Sequence, residues 1–334
     1  MSSCTERIPP RPPARARALL GMILLLLVSA TALAPPARAA ALTEVTGFGD
    51  NPGGLAMYAY VPASAEAGAP LVVLLHGCTQ NAAAYHAGSG WQKYADSAGI
   101  VLVYAEQRTT NNISRCFNWF QPGDVARDRG EARSIRQMVA HAHAAFGADP
   151  DRTYVSGLSA GGAMAAEMLS AYPETFAGGA VIAGLPAGCA TDLLSALGCQ
   201  NPGRDRTPAQ WGDAVRAKNP GYTGPWPRVA IWHGTADTTV VPANARESRD
   251  QWTDVWGIGQ TPTTTTRLPG GTTLEEYAAP AGGTAVAGYL VEGMGHGTPV
   301  DPGPGAEECG TAAAHFLDTI CSSYHTARFW GIVG

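Results

Sequence analysis

Apolar residues in this chain follow two different periods, and the alternation between them predicts the fold. Unbroken apolar runs stand at residues 71–75 (Leu-Val-Val-Leu-Leu) and 100–104 (Ile-Val-Leu-Val-Tyr). A strand covered on both faces reads this way, because neither face meets water. Segments 179–183, 229–233, 274–278 and 286–291 predict further strands, and Thr153-Tyr154-Val155 a short one rich in β-branched and aromatic residues. Near the amino end, 42–48 and 56–61 read as two strands joined by Gly49-Asp50-Asn51-Pro52-Gly53-Gly54, a turn-forming stretch. Elsewhere the period lengthens. Residues 129–146 place Ile135, Met138, Val139 and Ala142 on one helical face, and 91–98, 160–171 and 242–255 also read as helices. A closing helix is expected to begin within 311–317. Residues 188–220 keep neither period and predict an irregular insertion of the kind that caps a site. Strands alternating with helices specify an α/β fold, a mostly parallel central sheet flanked by helices.

The amino-terminal segment has a different pattern. Arg11, Arg15 and Arg17 precede an apolar run at 18–28, small residues follow, and Ala37-Arg38-Ala39 then offers an A-x-A cleavage site. Residues 1–39 therefore read as a secretory signal peptide and 40–334 as one catalytic domain. The expected location is secreted, extracellular or periplasmic. The chain carries 22 Lys and Arg against 27 Asp and Glu, a net charge of −5; losing five arginines and Glu6 with the signal leaves about −9. An acidic surface argues against nucleic acid or an anionic membrane as partner. Of the seven cysteines, Cys4 leaves with the signal and six remain, which in an exported chain reads as disulfides. No C-x-x-C pair supports a zinc site. Proximity along the chain suggests Cys189–Cys199 and Cys309–Cys321. Oligomeric state is left open.

Gly157, Ser159 and Gly161 form G-x-S-x-G between a predicted strand and an Ala-rich helix. That context presents a serine hydroxyl at a sharp turn, at the positive end of a helix. A serine needs a base, usually a histidine held in one tautomer by a carboxylate. Asp237 follows strand 229–233 and His296, between glycines, follows strand 286–291. The chain order Ser159, Asp237, His296 is that of α/β-hydrolases. Glu292 and Asp301 are the alternative acids. The oxyanion hole needs two backbone N–H groups. Ala160, after the nucleophile, offers one, and the loop opened by His76-Gly77 offers the other at Cys78. His76 is expected to support that loop and stands among the candidate substrate-side residues. No metal or cofactor is required.

Taken together, Leu75-His76-Gly77-Cys78-Thr79-Gln80, Cys116-Phe117-Asn118-Trp119-Phe120, Asp149-Pro150-Asp151-Arg152 before the serine turn, His233-Gly234-Thr235-Ala236-Asp237, Gly293-Met294-Gly295-His296-Gly297 and the terminal Ala327-Arg328-Phe329-Trp330-Gly331 resemble the poly(3-hydroxybutyrate) depolymerase family of esterases, which shades into feruloyl and acetylxylan esterases. The resemblance implies Ser159 as nucleophile, Asp237 and His296 as its partners, and Cys78 and Ala160 as the oxyanion hole. It also implies a Cys78–Cys116 disulfide and an acyl-side subsite lined by Trp119, with Asn118 beside it. The expected function is hydrolysis of short-chain polyester or oligomer esters through an acyl-enzyme. Feruloyl or acetyl esters of plant polysaccharide are the alternative, and a non-catalytic binding protein on a retired hydrolase fold is a different class. Polymer-degrading members carry a tethered binding domain. Phe329-Trp330-Gly331 resembles their catalytic-domain terminus, so soluble and amorphous substrate is expected to react better than crystalline polymer.

Overall fold

Strand pairing follows the apolar runs. The computed structural model describes residues 40–334 and, before them, residues 1, 3, 5 and 7–10. The amino-terminal apolar run and Ala37-Arg38-Ala39 lie outside the described residues. In chain order the first half contains β1 (Thr43–Val45), β2 (Ala56–Tyr60), β3 (Ala69–Leu75), α1 (Ala82–Gly88), α2 (Trp91–Ala98), β4 (Val101–Glu106), α3 (Pro122–Val125), α4 (Gly130–Phe146), β5 (Ala148–Leu158) and α5 (Ala160–Ala171). The second half contains β6 (Gly178–Ile182), α6 (Leu193–Gln200), α7 (Pro208–Arg216), β7 (Arg228–Gly234), α8 (Ala243–Val255), β8 (Thr264–Leu268), β9 (Thr272–Ala278), β10 (Thr284–Val291), β11 (Thr298–Val300), β12 (Phe316–Asp318) and α9 (Ser322–Trp330).

Ten strands form one sheet in the order β1-β2-β4-β3-β5-β6-β7-β10-β9-β8. The six from β4 through β10 run parallel, and antiparallel pairs close both edges. The α/β expectation is met. The strand pleat explains why the central runs had to be wholly apolar. Leu71, Val73 and Leu75 enter one core, while Val72 and Leu74 enter the core on the opposite face. The first core receives α4 through the expected stripe Ile135, Met138, Val139 and Ala142, together with α5 and the indoles of Trp211 and Trp252. The second receives Trp91, Tyr94 and Trp330, with Trp330 stacked on Tyr154 at 4.6 Å. Every residue of α5 is buried, which places that helix at the centre of the layer.

The closing helix does not begin at 311–317. Residues 316–318 pair with β11 as a strand, and α9 starts only at Ser322. The Ala-rich stretch is drawn into extended backbone by long-range partners: Thr298 N–H donates to His315 O at 2.8 Å, and Thr319 N–H to Val300 O at 2.7 Å. The ring of Phe316 packs against Tyr85 and over Gly88. Such tertiary anchoring outweighs the intrinsic helical preference of alanine. The insertion 188–220 is more regular than its pattern suggests. It holds α6 and α7, each started by a capping box, Asp192 with Ser195 and Thr207 with Gln210. Three disulfides are present: Cys78–Cys116, Cys189–Cys199 and Cys309–Cys321. No helix among the described residues is long and apolar enough to cross a membrane.

Backbone approaches closely at α5. A Cβ on Gly161 would collide with the carbonyl oxygen of Leu75 at the end of β3, and one on Gly157 with the carbonyl of Gly161 itself. Neither obstacle is a flexible side chain. Gly161→Ala is expected to destabilise the protein by about 3 kcal/mol through forced separation of α5 from β3. Urea unfolding monitored by tryptophan fluorescence checks this, and a loss under 1 kcal/mol would refute it.

Candidate active site

Ser159 sits between β5 and α5 with φ 55° and ψ −117°, a conformation that L-residues avoid. Two main-chain bonds hold it there: its N–H donates to Ile182 O, and its carbonyl accepts from Ala163 N–H, both at 2.8 Å. The turn puts the hydroxyl at the positive end of a fully buried helix. Ser159 lines a cleft of about 730 Å³ shared with Cys78, Asn118, Trp119 and His296. Ala160 follows Ser159 immediately. Neither Cys78 N–H nor Ala160 N–H is engaged by another group among the described residues.

Asp237 and His296 meet because their strands are neighbours. β7 and β10 pair in parallel with His233 opposite Leu290, so both following loops leave the same sheet edge as the serine turn. The loops are then tied together. Thr235 N–H donates to Val291 O at 2.9 Å, Ala236 N–H to Met294 O at 3.0 Å, and Gly293 N–H to Thr235 Oγ1 at 2.9 Å. Gly234 permits this, since a Cβ there would strike Met294 O. His296 Nδ1–H donates to Asp237 Oδ2 at 2.7 Å, which leaves Nε2 as the proton acceptor. Asp237 Oδ1 accepts from Thr239 and Val240 N–H at 2.9 and 3.0 Å. Burial pushes this carboxyl up, but the hydrogen bond and charge of His296 and the Val240 N–H together outweigh it. Asp237 is held below the usual carboxylate range. The alternative acids are not in this network: Glu292 is exposed, and the backbone of Asp301 bridges to Cys309.

His76 is buried and does not line the cleft, which fits the expected loop-supporting role and departs from its expected substrate-side place. Its Nε2 accepts from Gln107 N–H at 3.1 Å, so the proton is on Nδ1, which donates to Gly77 O at 2.7 Å. Burial pushes its pKa down to about 4, and the neutral ring acts as a spacer under the Cys78 loop. His233 does the same under Asp237, donating to Val240 O at 2.8 Å. Sequence reasoning missed two other residues here. His315 borders the cleft beside His296 with φ 66°, hidden in the stretch read as helix. Glu131, wholly buried in the first turn of α4, accepts from Asn118 N–H at 2.9 Å and from Gln107 Nε2 at 2.5 Å. Through Gln107 it joins the Asn118 loop to the His76 loop. An acidic residue opening a helix was the visible signal, but it reads as ordinary dipole compensation. The Cys78–Cys116 bridge joins the same two loops, as does Thr79 N–H to Ser114 O at 2.6 Å.

Comparison with known proteins fits this arrangement. The family model described as Esterase PHB depolymerase matches residues 55–278. The chain is 51% identical over 295 residues to poly(3-hydroxyalkanoate) depolymerase C of Paucimonas lemoignei, covering 88% of this chain and 71% of that protein. The chain belongs to the esterase PHB depolymerase family. Members of the wider group include feruloyl esterase B of Thermothelomyces thermophilus, 36% identical over 276 residues, covering 80% of this chain and 92% of that one. An acetyl xylan esterase from Aspergillus awamori superposes with a TM-score of 0.74 at 26% identity, covering 88% of this chain and all of that one. The fold is the α/β-hydrolase fold, and this PHB depolymerase family member is a carboxylic ester hydrolase of the serine-hydrolase type.

Glu131 gives the site a measurable pH signature. Burial, with the charge of Asp124 adding to it, raises its pKa to about 8 against the hydrogen bonds from Asn118 and Gln107. A carboxyl raised in the folded state contributes stability that is whole below its unfolded value and is lost as pH rises through the folded one. Stability should therefore fall from about pH 4.5 to pH 8, with a slope of up to about 1.4 kcal/mol per pH unit from this group. Glu131→Gln should remove that component of the slope. Denaturant unfolding at a series of pH values tests it, and an unchanged slope in the variant would exclude Glu131 as the source.

Proposed function

We propose that Ser159, His296 and Asp237 form the catalytic triad of a secreted esterase whose substrates are short-chain hydroxyalkanoate oligomers and polyester. The observation that carries the reading is the Asp237–His296 hydrogen bond at 2.7 Å, in a cleft that Ser159 also lines. His296 Nε2 takes the Ser159 proton as Oγ bonds to the ester carbonyl carbon. The oxyanion is held by the N–H groups of Cys78 and Ala160. Collapse breaks the carbon–oxygen bond to the alcohol portion, which leaves with the proton from His296. Water then loses a proton to His296 as its oxygen bonds to the acyl carbon, and the acid leaves as the Ser159 Oγ–carbon bond breaks and Oγ regains that proton from His296.

The cleft walls favour a neutral substrate. Among the described residues no Asp, Glu, Lys or Arg lines them, and Trp119, Phe120 and Leu158 supply apolar surface. A polyester segment enters without desolvating a charge, and the carboxylate product meets no cation to retain it. The similarity to the Paucimonas lemoignei depolymerase supports the hydroxyalkanoate class. The three disulfides support an oxidising, extracellular or periplasmic location for a mature domain of residues 40–334. A second reading, a feruloyl or acetyl ester of plant polysaccharide, is supported by the 36% identity to a feruloyl esterase and the 0.74 TM-score with an acetyl xylan esterase.

Four measurements test this. Ser159→Ala should lower kcat roughly 10⁴-fold or more, and a phosphonate should label only the Ser159 peptide. Asp237→Asn turns an amide toward His296 Nδ1 and should cost on the order of 10⁴-fold with the fold intact. Incubation in parallel with hydroxybutyrate trimer, methyl ferulate and acetylated xylan assigns the substrate class. Release from the ester of ferulate or acetate alone would hand the assignment to the second reading.

A further inference from the structure

Helix α6 exposes apolar surface that the fold does not use. Of its residues only Ala196 and Cys199 are buried, while Leu193, Leu194 and Leu197 are 62%, 80% and 53% exposed. A helix this short is marginal in water and needs external support. It receives three kinds. The Asp192 carboxylate accepts from Ser195 N–H at 2.8 Å, Ser195 Oγ accepts from Asp192 N–H at 3.1 Å, and the Cys189–Cys199 disulfide fastens the helix end to the preceding loop. The supports hold three leucines outward in a fixed geometry. Leu193 and Leu197 also border the active-site cleft, as does Ile113, which is 91% exposed. The apolar patch is therefore continuous with the entrance to Ser159.

We propose that the outward face of α6, with Ile113, is the surface on which the domain adsorbs to solid polyester, delivering chain segments into the cleft. This rests on the polyester reading above. The neutral, apolar character of a polyester solid matches a patch of aliphatic side chains around an uncharged cleft. Rigid presentation keeps the ordering cost of adsorption small. The net charge of −5 for the chain opposes adsorption to an anionic lipid surface. A second copy is a poor occupant, because four aliphatic side chains fall well short of the roughly 1,200 Å² that a stable dimer interface buries.

Leu194 does not line the cleft, so it separates adsorption from chemistry. In a Ser159→Ala background, partition onto amorphous poly(3-hydroxybutyrate) granules is measured without hydrolysis. Leu194→Asp should weaken it about tenfold, while Leu194→Phe should bind at least as tightly as the parent. With Ser159 intact, Leu194→Asp should keep kcat/KM on soluble hydroxybutyrate trimer and an unchanged Tm. Equal adsorption of Leu194→Asp and its parent, alongside full trimer hydrolysis, overturns the proposal. So does preferential binding to neutral phosphatidylcholine vesicles, or a dimer in sedimentation that Leu194→Asp dissolves. Failure of the underlying polyester reading looks different: the wild-type enzyme would leave the trimer uncleaved, whatever its adsorption.

Discussion

The close approach of α5 to the end of β3 is the constraint on which the active-site layout depends. Gly161 lies where any side chain would meet the carbonyls of Leu75 and His76. Those carbonyls end the strand and begin the Cys78 loop. One backbone contact thus sets the distance between the serine turn and the loop proposed to complete the oxyanion hole. The same compression holds Ser159 at φ 55°, a strain that persists because the burial of all of α5 over-determines it. A fully buried helix cannot tilt toward water to relieve the turn.

The remaining distances are set by polar groups buried without charge. His76 and His233 are both wholly buried, both lowered in pKa by burial, and both satisfied at a ring nitrogen by a main-chain carbonyl. Each props a loop that carries a site group. Asp237 differs because its negative charge is answered by two main-chain N–H groups and the His296 ring. An acceptor with that many donors stays ionised while buried, and an ionised partner fixes the imidazole tautomer. The two histidine props and the Glu131 hub are matched to their partners through several hydrogen bonds at once, and a buried network of that kind tolerates little change at any member.

The central strands, α4 and the serine turn were legible because each rests on a local rule. Five-residue apolar runs require two covered faces, and glycines around a serine require a close turn. Asp237 and His296 were legible by chain order after strands, since neighbouring parallel strands deliver their loops to one edge. What escaped depends on contacts far apart in the chain. Residues 311–317 carry helical composition, but their distant backbone partners are Gly88 and Thr298, and the ring of Phe316 packs on Tyr85. His76 looked substrate-side because it adjoins Cys78, but the Gln107 N–H and Gly77 carbonyl hold its ring inward. Glu131 was hidden for a related reason: its partners, Asn118 and Gln107, lie across separate loops. Helices α6 and α7 were written in their capping boxes, a signal that the search for long periodic faces passed over.

The charge distribution joins these features into one argument about turnover. The charged member, Asp237, is buried and does not line the cleft, and its contact with the cleft is the hydrogen bond to His296. The cleft wall itself is uncharged, and in such a medium the N–H groups of Cys78 and Ala160 and the helix end at Ser159 face little competition from other ions. In the proposed mechanism the oxyanion is the negative charge that these donors answer. In the proposed mechanism a neutral ester binds without an ionic contact, the transition state gains the electrostatic interaction, and the carboxylate that forms last has lost the geometry those donors fit. That mechanism favours the state that must form over the ester and the acid on either side of it, which is the ordering that catalysis needs.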